Sequence, residues 1–76
     1  MEIKICGPGC ASCKQAQKVV EAAVTARGIE ATITKVTDFQ AIARLGIFST
    51  PAVVIDGEVK CVGRTPQQAE VEKWLG

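Results

Sequence analysis

The first 28 residues run from a strand pattern through a chain breaker into a helical pattern, and this order favours a fold of alternating strands and helices. Glu2 to Cys6 alternates polar and apolar residues, as a short strand does. The tripeptide Gly7-Pro8-Gly9 continues neither a strand nor a helix interior. From Ala11 to Arg27, apolar residues recur every three or four positions, and Gly28 follows as a C-terminal stop. A buried helix face is predicted at Cys13, Ala16, Val20, Ala23 and Val24.

The middle of the chain predicts a second strand and a second, shorter helix. Ile29 to Val36 has the β-branched content of a strand, and a strand–helix–strand order implies a right-handed parallel crossover. Thr37 or Asp38 can then cap a helix that ends near Leu45.

The last third of the chain predicts a hairpin followed by a helix. After Thr50-Pro51, Ala52 to Ile55 is a continuous apolar strand, and Asp56-Gly57 is a two-residue turn signal into an antiparallel strand from Glu58 to Val62. Thr65 is the predicted cap of the final helix, with Pro66 in its first turn and a capping-box Gln after it. Ala69, Val71, Trp74 and Leu75 are the residues predicted to face the sheet.

Size and composition limit the classes of function. Seventy-six residues predict one domain, residues 1–76, and 47% hydrophobic residues with 22% charged residues indicate a compact, soluble chain. A net charge of +1 gives no reason to expect a nucleic-acid partner. The sequence contains neither a membrane-length apolar run nor a signal-peptide pattern, so a cytoplasmic location is expected.

Cys10-Ala11-Ser12-Cys13 places two thiols where the helical pattern starts. A thiolate is the reactive form of cysteine, and a helix N-terminus stabilises an anion through unpaired N–H groups and the helix dipole. Cys10 is therefore the predicted nucleophile. Cys13 lies about one helical turn further on and is the predicted resolving thiol, more buried than Cys10. Ala11 and Ser12 add no charge, which favours a reducing couple within the range of roughly −270 to −120 mV.

Three segments together resemble the small thioredoxin-like proteins called redox-active disulfide proteins. These are the signature from Gly7 to Cys13, the segment Ser49-Thr50-Pro51-Ala52, and the hairpin Val54-Ile55-Asp56-Gly57 followed by Gly63-Arg64. The chain is also similar to glutaredoxins. The resemblance implies a minimal thioredoxin-like α/β fold of order βαβαββα, in which helices flank a four-stranded mixed sheet.

The resemblance also implies a substrate site and partners. It implies a cis peptide bond at Thr50-Pro51, with the Pro51 ring near the two sulfurs and the Thr50 backbone available to an extended substrate; the alternative is a proline that only begins a strand. Protein disulfides and an upstream disulfide reductase are the expected partners of a monomer that needs no cofactor and no metal. Glutathione is not expected, because Gly63-Arg64-Thr65-Pro66 stands where glutaredoxins have a Gly-Gly pair and an acidic residue.

The remaining thiols and Arg64 have more than one interpretation. Cys6 either fills space as a small buried hydrophobe, pairs with Cys10, or acts as a third soft ligand. Cys61 is expected to be an incidental thiol on an edge strand. Arg64 either binds an anionic substrate or is a solvated surface residue.

The main alternative function is a soft-metal or metalloid binding module that uses Cys6, Cys10 and Cys13, because thiolates suit soft ions. The predicted C-terminal helix and the absence of histidine from the sequence disfavour it. A redox-inert interaction module that keeps only the fold is a third possibility. A disulfide-stapled domain is a further alternative, which the bunched cysteines disfavour.

Overall fold

A computed structural model describes residues 1–9 and 11–75 of the chain. Four strands and three helices follow one another as predicted: β1 Glu2–Cys6, α1 Ala11–Arg27, β2 Thr32–Val36, α2 Phe39–Arg44, β3 Ala52–Ile55, β4 Glu58–Val62 and α3 Gln68–Trp74. This confirms the βαβαββα order. Among the described residues, no helix is both long and apolar enough to span a bilayer.

The strands form one mixed sheet in the order β2-β1-β3-β4. The central strand β1 pairs in parallel with β2, from Glu2↔Thr32 to Cys6↔Val36. On its other side β1 pairs with β3 in antiparallel orientation, and β3 pairs with β4 through the Asp56-Gly57 turn. Both turn residues have positive φ values, 50° and 82°, as a two-residue hairpin of this kind requires. The predicted parallel and antiparallel pairings are confirmed.

Two apolar clusters cover the two faces of the sheet. On one face, α1 and α3 pack on the strands through Ala16, Val20, Ala23, Val71 and Leu75. We call this cluster the α1/α3-side core; it also contains Ile3, Ile5, Val53, Ile55 and Cys61. On the other face, α2 contributes Ile42 to a smaller α2-side core with Cys6, Ile47, Ala52 and Val54.

Two predicted boundaries are wrong. The second strand begins at Thr32 and not at Ile29, because Gly28 (φ 64°) and the hydrogen bond from Ile29 N to Val24 O (3.4 Å) continue the end of α1. The pairing with β1 begins only at Thr32. The N-cap of α3 is Gln67 and not Thr65, whose hydroxyl bonds elsewhere.

Ala69 is exposed, so its predicted place against the sheet is also wrong. It precedes the buried Val71 by two positions, about 200° around the helix. The cap of α2 is Asp38, one of the two predicted, whose carboxylate accepts a hydrogen bond from Gln40 N at 3.1 Å.

Candidate functional site

Gly7 joins the end of β1 to the two segments expected to form the site. Its N–H donates to Val36 O at 2.9 Å, which holds the chain beside β2 as it leaves the sheet. A Cβ built at Gly7 would overlap Cys13 Sγ and would lie 3.5 Å from Thr50 Cβ. The backbone of Gly7, which carries no side chain, therefore lies between Cys13 and Thr50. We call Gly7, Cys13 and Thr50 the site seam.

Cys13 lies in the first turn of α1 and is 5% exposed. It is buried, as predicted for a resolving thiol, because the helical periodicity places it on the same face as Ala16 and Val20. The predicted nucleophile, Cys10, lies outside the described residues. Its pairing with Cys13 therefore stays a prediction.

A small pocket of about 40 Å³ opens beside Cys13. Lys14 from α1 and Lys35 from the end of β2 are among the residues that line it. Both lysines are exposed cations, so positive charge borders the pocket beside Cys13. The sequence pattern did not predict this contribution, because Lys35 follows Cys13 only after a helix and most of a strand.

Thr50 and Pro51 precede β3 directly, and the peptide bond between them is cis. Pro51 is buried, and its carbonyl accepts a hydrogen bond from Gly63 N at 2.9 Å. Thr50 is half-buried at the site seam, and the pairing of β3 with β1 begins only at Ala52. The hydrogen bond from Gly63, which follows β4, thus holds the segment before β3 in place. Thr50 lies next to Gly7.

The corner between β4 and α3 also contacts the dithiol segment, and no sequence pattern predicts this contact. The Thr65 hydroxyl donates a hydrogen bond to Ser12 O at 3.2 Å, across 53 positions of sequence. Ser12 is one of the two residues between the predicted redox cysteines. The start of α1 is therefore tied to the segment that leads into α3.

Arg64 is an exposed surface residue, as one of its two interpretations expects, and its guanidinium is engaged in an ion pair. Its Nη1 and Nη2 donate to the two carboxylate oxygens of Glu70 at 2.8 and 2.7 Å. Gln67 N also donates to Glu70 Oε1, at 3.1 Å. These hydrogen bonds, the Arg64 bonds first, lower the pKa of Glu70 to about 2. The pair holds the corner together from within one chain segment.

Cys6 and Cys61 lie in the two cores. Cys6 is fully buried in the α2-side core, as expected for a small hydrophobe, and burial raises the pKa of its thiol although Lys4 lowers it by less. Cys61 is buried in the α1/α3-side core, where burial again raises the thiol pKa. Raised pKa values keep both thiols protonated at neutral pH, which makes them poor nucleophiles.

The described residues offer little to the metal-binding alternative. Within residues 1–9 and 11–75, no three His, Cys, Asp or Glu side chains are grouped so that they could hold a metal ion. The alternative set of Cys6, Cys10 and Cys13 includes a residue outside this range. Of the other two, Cys6 packs with α2 on one face of the sheet, whereas Cys13 belongs to the helix that packs on the opposite face.

Comparison with known proteins agrees with this arrangement. The family model described as "Thioredoxin domain" matches residues 1–76. The chain is 36% identical over 75 residues to a thioredoxin of Methanothermobacter thermautotrophicus, covering 99% of this chain and 97% of that protein. It is 40% identical over 73 residues to a thioredoxin of Methanocaldococcus jannaschii, covering 96% and 84% respectively. The chain belongs to the thioredoxin family and is a thioredoxin-like disulfide oxidoreductase.

Proposed function

We propose that this chain reduces protein disulfides with the dithiol of Cys10 and Cys13, and that Thr50 and Pro51 form the side of the site that receives the substrate. The single observation that carries the proposal is the site seam. Gly7, Cys13 and Thr50 come from three separate segments, yet a side chain at Gly7 would meet both of the other two residues. A buried thiol and the segment before β3 are thus brought together at one end of the sheet.

The reaction proceeds by two thiol–disulfide exchanges. The Cys10 thiolate attacks one sulfur of the partner's disulfide, and the other partner sulfur leaves as a thiolate that takes up a proton. Cys13 then loses its proton, attacks Cys10 Sγ and releases the second partner cysteine. The partner's disulfide has gained two electrons and two protons, and a Cys10–Cys13 disulfide has formed. A reductase that supplies an external dithiol restores the reduced chain.

The chain's own residues support each step. Cys10 directly precedes Ala11, the first residue of α1, where unpaired backbone N–H groups favour a thiolate. Lys14 and Lys35 add positive potential beside Cys13. Thr50, placed before the β3 ladder begins, offers its backbone to an extended substrate segment. We place this cycle in the cytoplasm, where protein disulfides are transient and catalytic, in a monomer that is one domain over residues 1–76.

Titration with defined thiol–disulfide buffers tests the proposal, with alkylation of each cysteine followed by mass spectrometry. One two-electron transition that links Cys10 to Cys13 is expected, with Cys10 the fastest of the four thiols to alkylate. Cys13→Ser should accumulate the mixed disulfide without turnover, and Cys10→Ser should form none. Cys61→Ser and Cys6→Ser are the matched controls, because both remove a buried thiol that the mechanism does not use.

Two results would contradict the mechanism. One is a Cys10 that alkylates no faster than Cys61, and the other is an oxidised form in which Cys6 is joined to Cys10. Metal retained in stoichiometric amount by the purified protein, and lost on Cys6→Ser, would instead support the metal-binding alternative.

A further inference from the structure

The hydrogen bond from Thr65 reaches the short stretch between the two predicted redox cysteines. The Thr65 hydroxyl donates to Ser12 O at 3.2 Å, from a position 53 residues further along the chain. Ser12 lies in the first turn of α1, where the helix uses one lone pair of each carbonyl oxygen for the N–H four residues on. A carbonyl oxygen has two lone pairs, so Thr65 binds the second one. A side chain from outside α1 therefore holds the backbone of its first turn.

The neighbours of Thr65 hold it in place on both sides. On one side, Arg64 donates two hydrogen bonds to Glu70, at 2.8 and 2.7 Å. On the other side, Pro66 is fully buried, and a proline restricts the backbone of the residue before it. Thr65 itself is half-buried between these two residues. Little conformational freedom is therefore lost when its hydroxyl binds Ser12 O.

Ser12 O is one end of a peptide unit whose other end is the N–H of Cys13. Because a peptide unit is planar, a hydrogen bond that fixes the direction of the oxygen also fixes the direction of the N–H. The bond also polarises the unit, which makes the N–H a stronger donor. Cys13 is the third residue of α1, and the side chain directly before a helix accepts from the N–H of its second or third residue. The residue directly before α1 is Cys10.

We propose that Thr65 is a positioning residue for the dithiol: by holding Ser12 O, its hydroxyl orients the Cys13 N–H that stabilises the Cys10 thiolate. The inference rests on the proposed function, in which Cys10 attacks as a thiolate. Thr65 acts through the peptide unit and not on a reacting atom. Because Ser12 is exposed and Thr65 only half-buried, loss of the bond should change the thiolate population several-fold and not by orders of magnitude.

Alkylation of Cys10 by iodoacetamide, followed by mass spectrometry across a range of pH, tests this role. The thiolate is the reacting form, so the rate follows the thiolate fraction wherever Cys10 is mostly protonated. Thr65→Val keeps the branched shape without the hydroxyl, and in that range it should react about two- to fivefold more slowly than the wild type. At higher pH, where Cys10 is ionised in both proteins, the rates should converge. The charged side chains described beside the site, Lys14, Lys35 and the Arg64–Glu70 pair, are the same in both.

Thr65→Ser is the rescue variant, because it restores the hydroxyl, and its pH profile should return close to that of the wild type. Thr25→Val is the matched control. It makes the same substitution in α1 but about 18 Å along the helix from Cys13, so it should leave the profile unchanged. Circular dichroism checks that each variant is folded. Thr65→Ala, which lacks the hydroxyl and has a smaller side chain, should show the same slowing and replaces Thr65→Val if the valine prevents folding.

The outcomes distinguish the positioning role from the mechanism. If Cys10 of the wild type alkylates no faster than the buried Cys61, the proposed function is wrong and this inference fails with it. If Cys10 is the reactive thiol but Thr65→Val has the wild-type pH profile, only the positioning role is wrong. Equal slowing at every pH, or a Thr65→Ser variant as slow as Thr65→Val, would also overturn it, because neither result follows from the orientation of one N–H by a hydroxyl.

Discussion

Gly7 carries a steric requirement that its position in the sequence does not reveal. As part of Gly7-Pro8-Gly9 it reads as a chain breaker, yet a Cβ there would overlap Cys13 Sγ. The glycine therefore also sets how closely the buried thiol approaches the end of β1 and Thr50. The site therefore depends on the lack of a side chain at Gly7 as well as on the thiols.

Replacing Gly7 with alanine should destabilise the protein and disturb Cys13. Overpacking of a close contact costs about 1 to 3 kcal/mol. Gly28→Ala is the control, because Gly28 has a φ of 64° but open space where a Cβ would lie. Its substitution should therefore lower stability only through the left-handed backbone conformation, by about 1 to 2 kcal/mol. Urea unfolding measures both, and Gly7→Ala should also change the alkylation rate of Cys13. Unchanged stability and Cys13 reactivity in Gly7→Ala would contradict the close packing.

At the element scale, the start of α3 is organised by interactions with segments that precede the helix. Glu70 accepts hydrogen bonds from Arg64 and from Gln67 N, while Thr65 bonds to Ser12 O in the first turn of α1. The helix itself is short, Gln68–Trp74, and short helices have marginal stability in isolation. Its position therefore depends on this corner and on the burial of Val71 and Leu75.

Glu70→Gln should lower stability in a pH-dependent way. The pKa of Glu70 is about 2 in the folded chain, against about 4.3 for an unperturbed glutamate. A lowered folded-state pKa contributes stability above the unfolded value, and that contribution is lost as the pH falls through about 2. The wild type should thus be more stable than Glu70→Gln at pH 7, and the difference should shrink between about pH 4 and pH 2. Thermal unfolding across this range measures the difference.

Glu72→Gln is the matched control for this measurement. This substitution removes one carboxylate from the same helix and leaves the Arg64–Glu70 ion pair in place. Among the contacts of the described chain, Glu72 accepts a hydrogen bond only from the side chain of Gln68. An equal loss in the two variants at pH 7 would show that the ion pair has no special role.

At the scale of the whole molecule, two cores of unequal size stabilise the sheet. Within residues 1–9 and 11–75, the α1/α3-side core contains ten buried residues and the α2-side core five. A domain of 76 residues has a free energy of unfolding of about 4 to 11 kcal/mol. The larger core is therefore expected to supply most of this free energy.

Ile3→Ala should therefore be among the most destabilising single truncations. Ile3 is fully buried on the central strand, and truncation of a buried isoleucine costs about 2 to 5 kcal/mol. Ile33→Ala is the control, because Ile33 pairs directly with Ile3 but is only half-buried on the edge strand β2. Urea unfolding should give a clearly larger loss for Ile3→Ala. Equal losses would mean that the edge strand is as important to the core as the central one.

Local patterns in the sequence were sufficient to predict the bounds of those elements whose structure depends mainly on their own residues. The bounds of β1, α1, β3 and β4 follow from periodicity and from Gly7-Pro8-Gly9, Gly28 and Asp56-Gly57, whose effects reach only a few residues. The burial of Cys13 follows from its place on the α1 face. The errors have different causes. The chain from Gly28 to Ile29 still completes the end of α1, which delays the start of β2, and Ala69 lies on the solvent side of α3. Only the cap of α3 is decided by a distant contact, the hydrogen bond from Thr65 to Ser12 O.

The order of the elements, the α/β class and the segments that carry the candidate chemistry follow from the sequence alone. The folded chain is needed to establish the sheet order β2-β1-β3-β4, the site seam at Gly7, the Thr65–Ser12 hydrogen bond and the placement of Cys6 and Cys61 in different cores. The difference lies in the range of the interactions. Helix and turn signals act over about four residues, whereas these contacts join segments that meet only when the helices pack on the sheet.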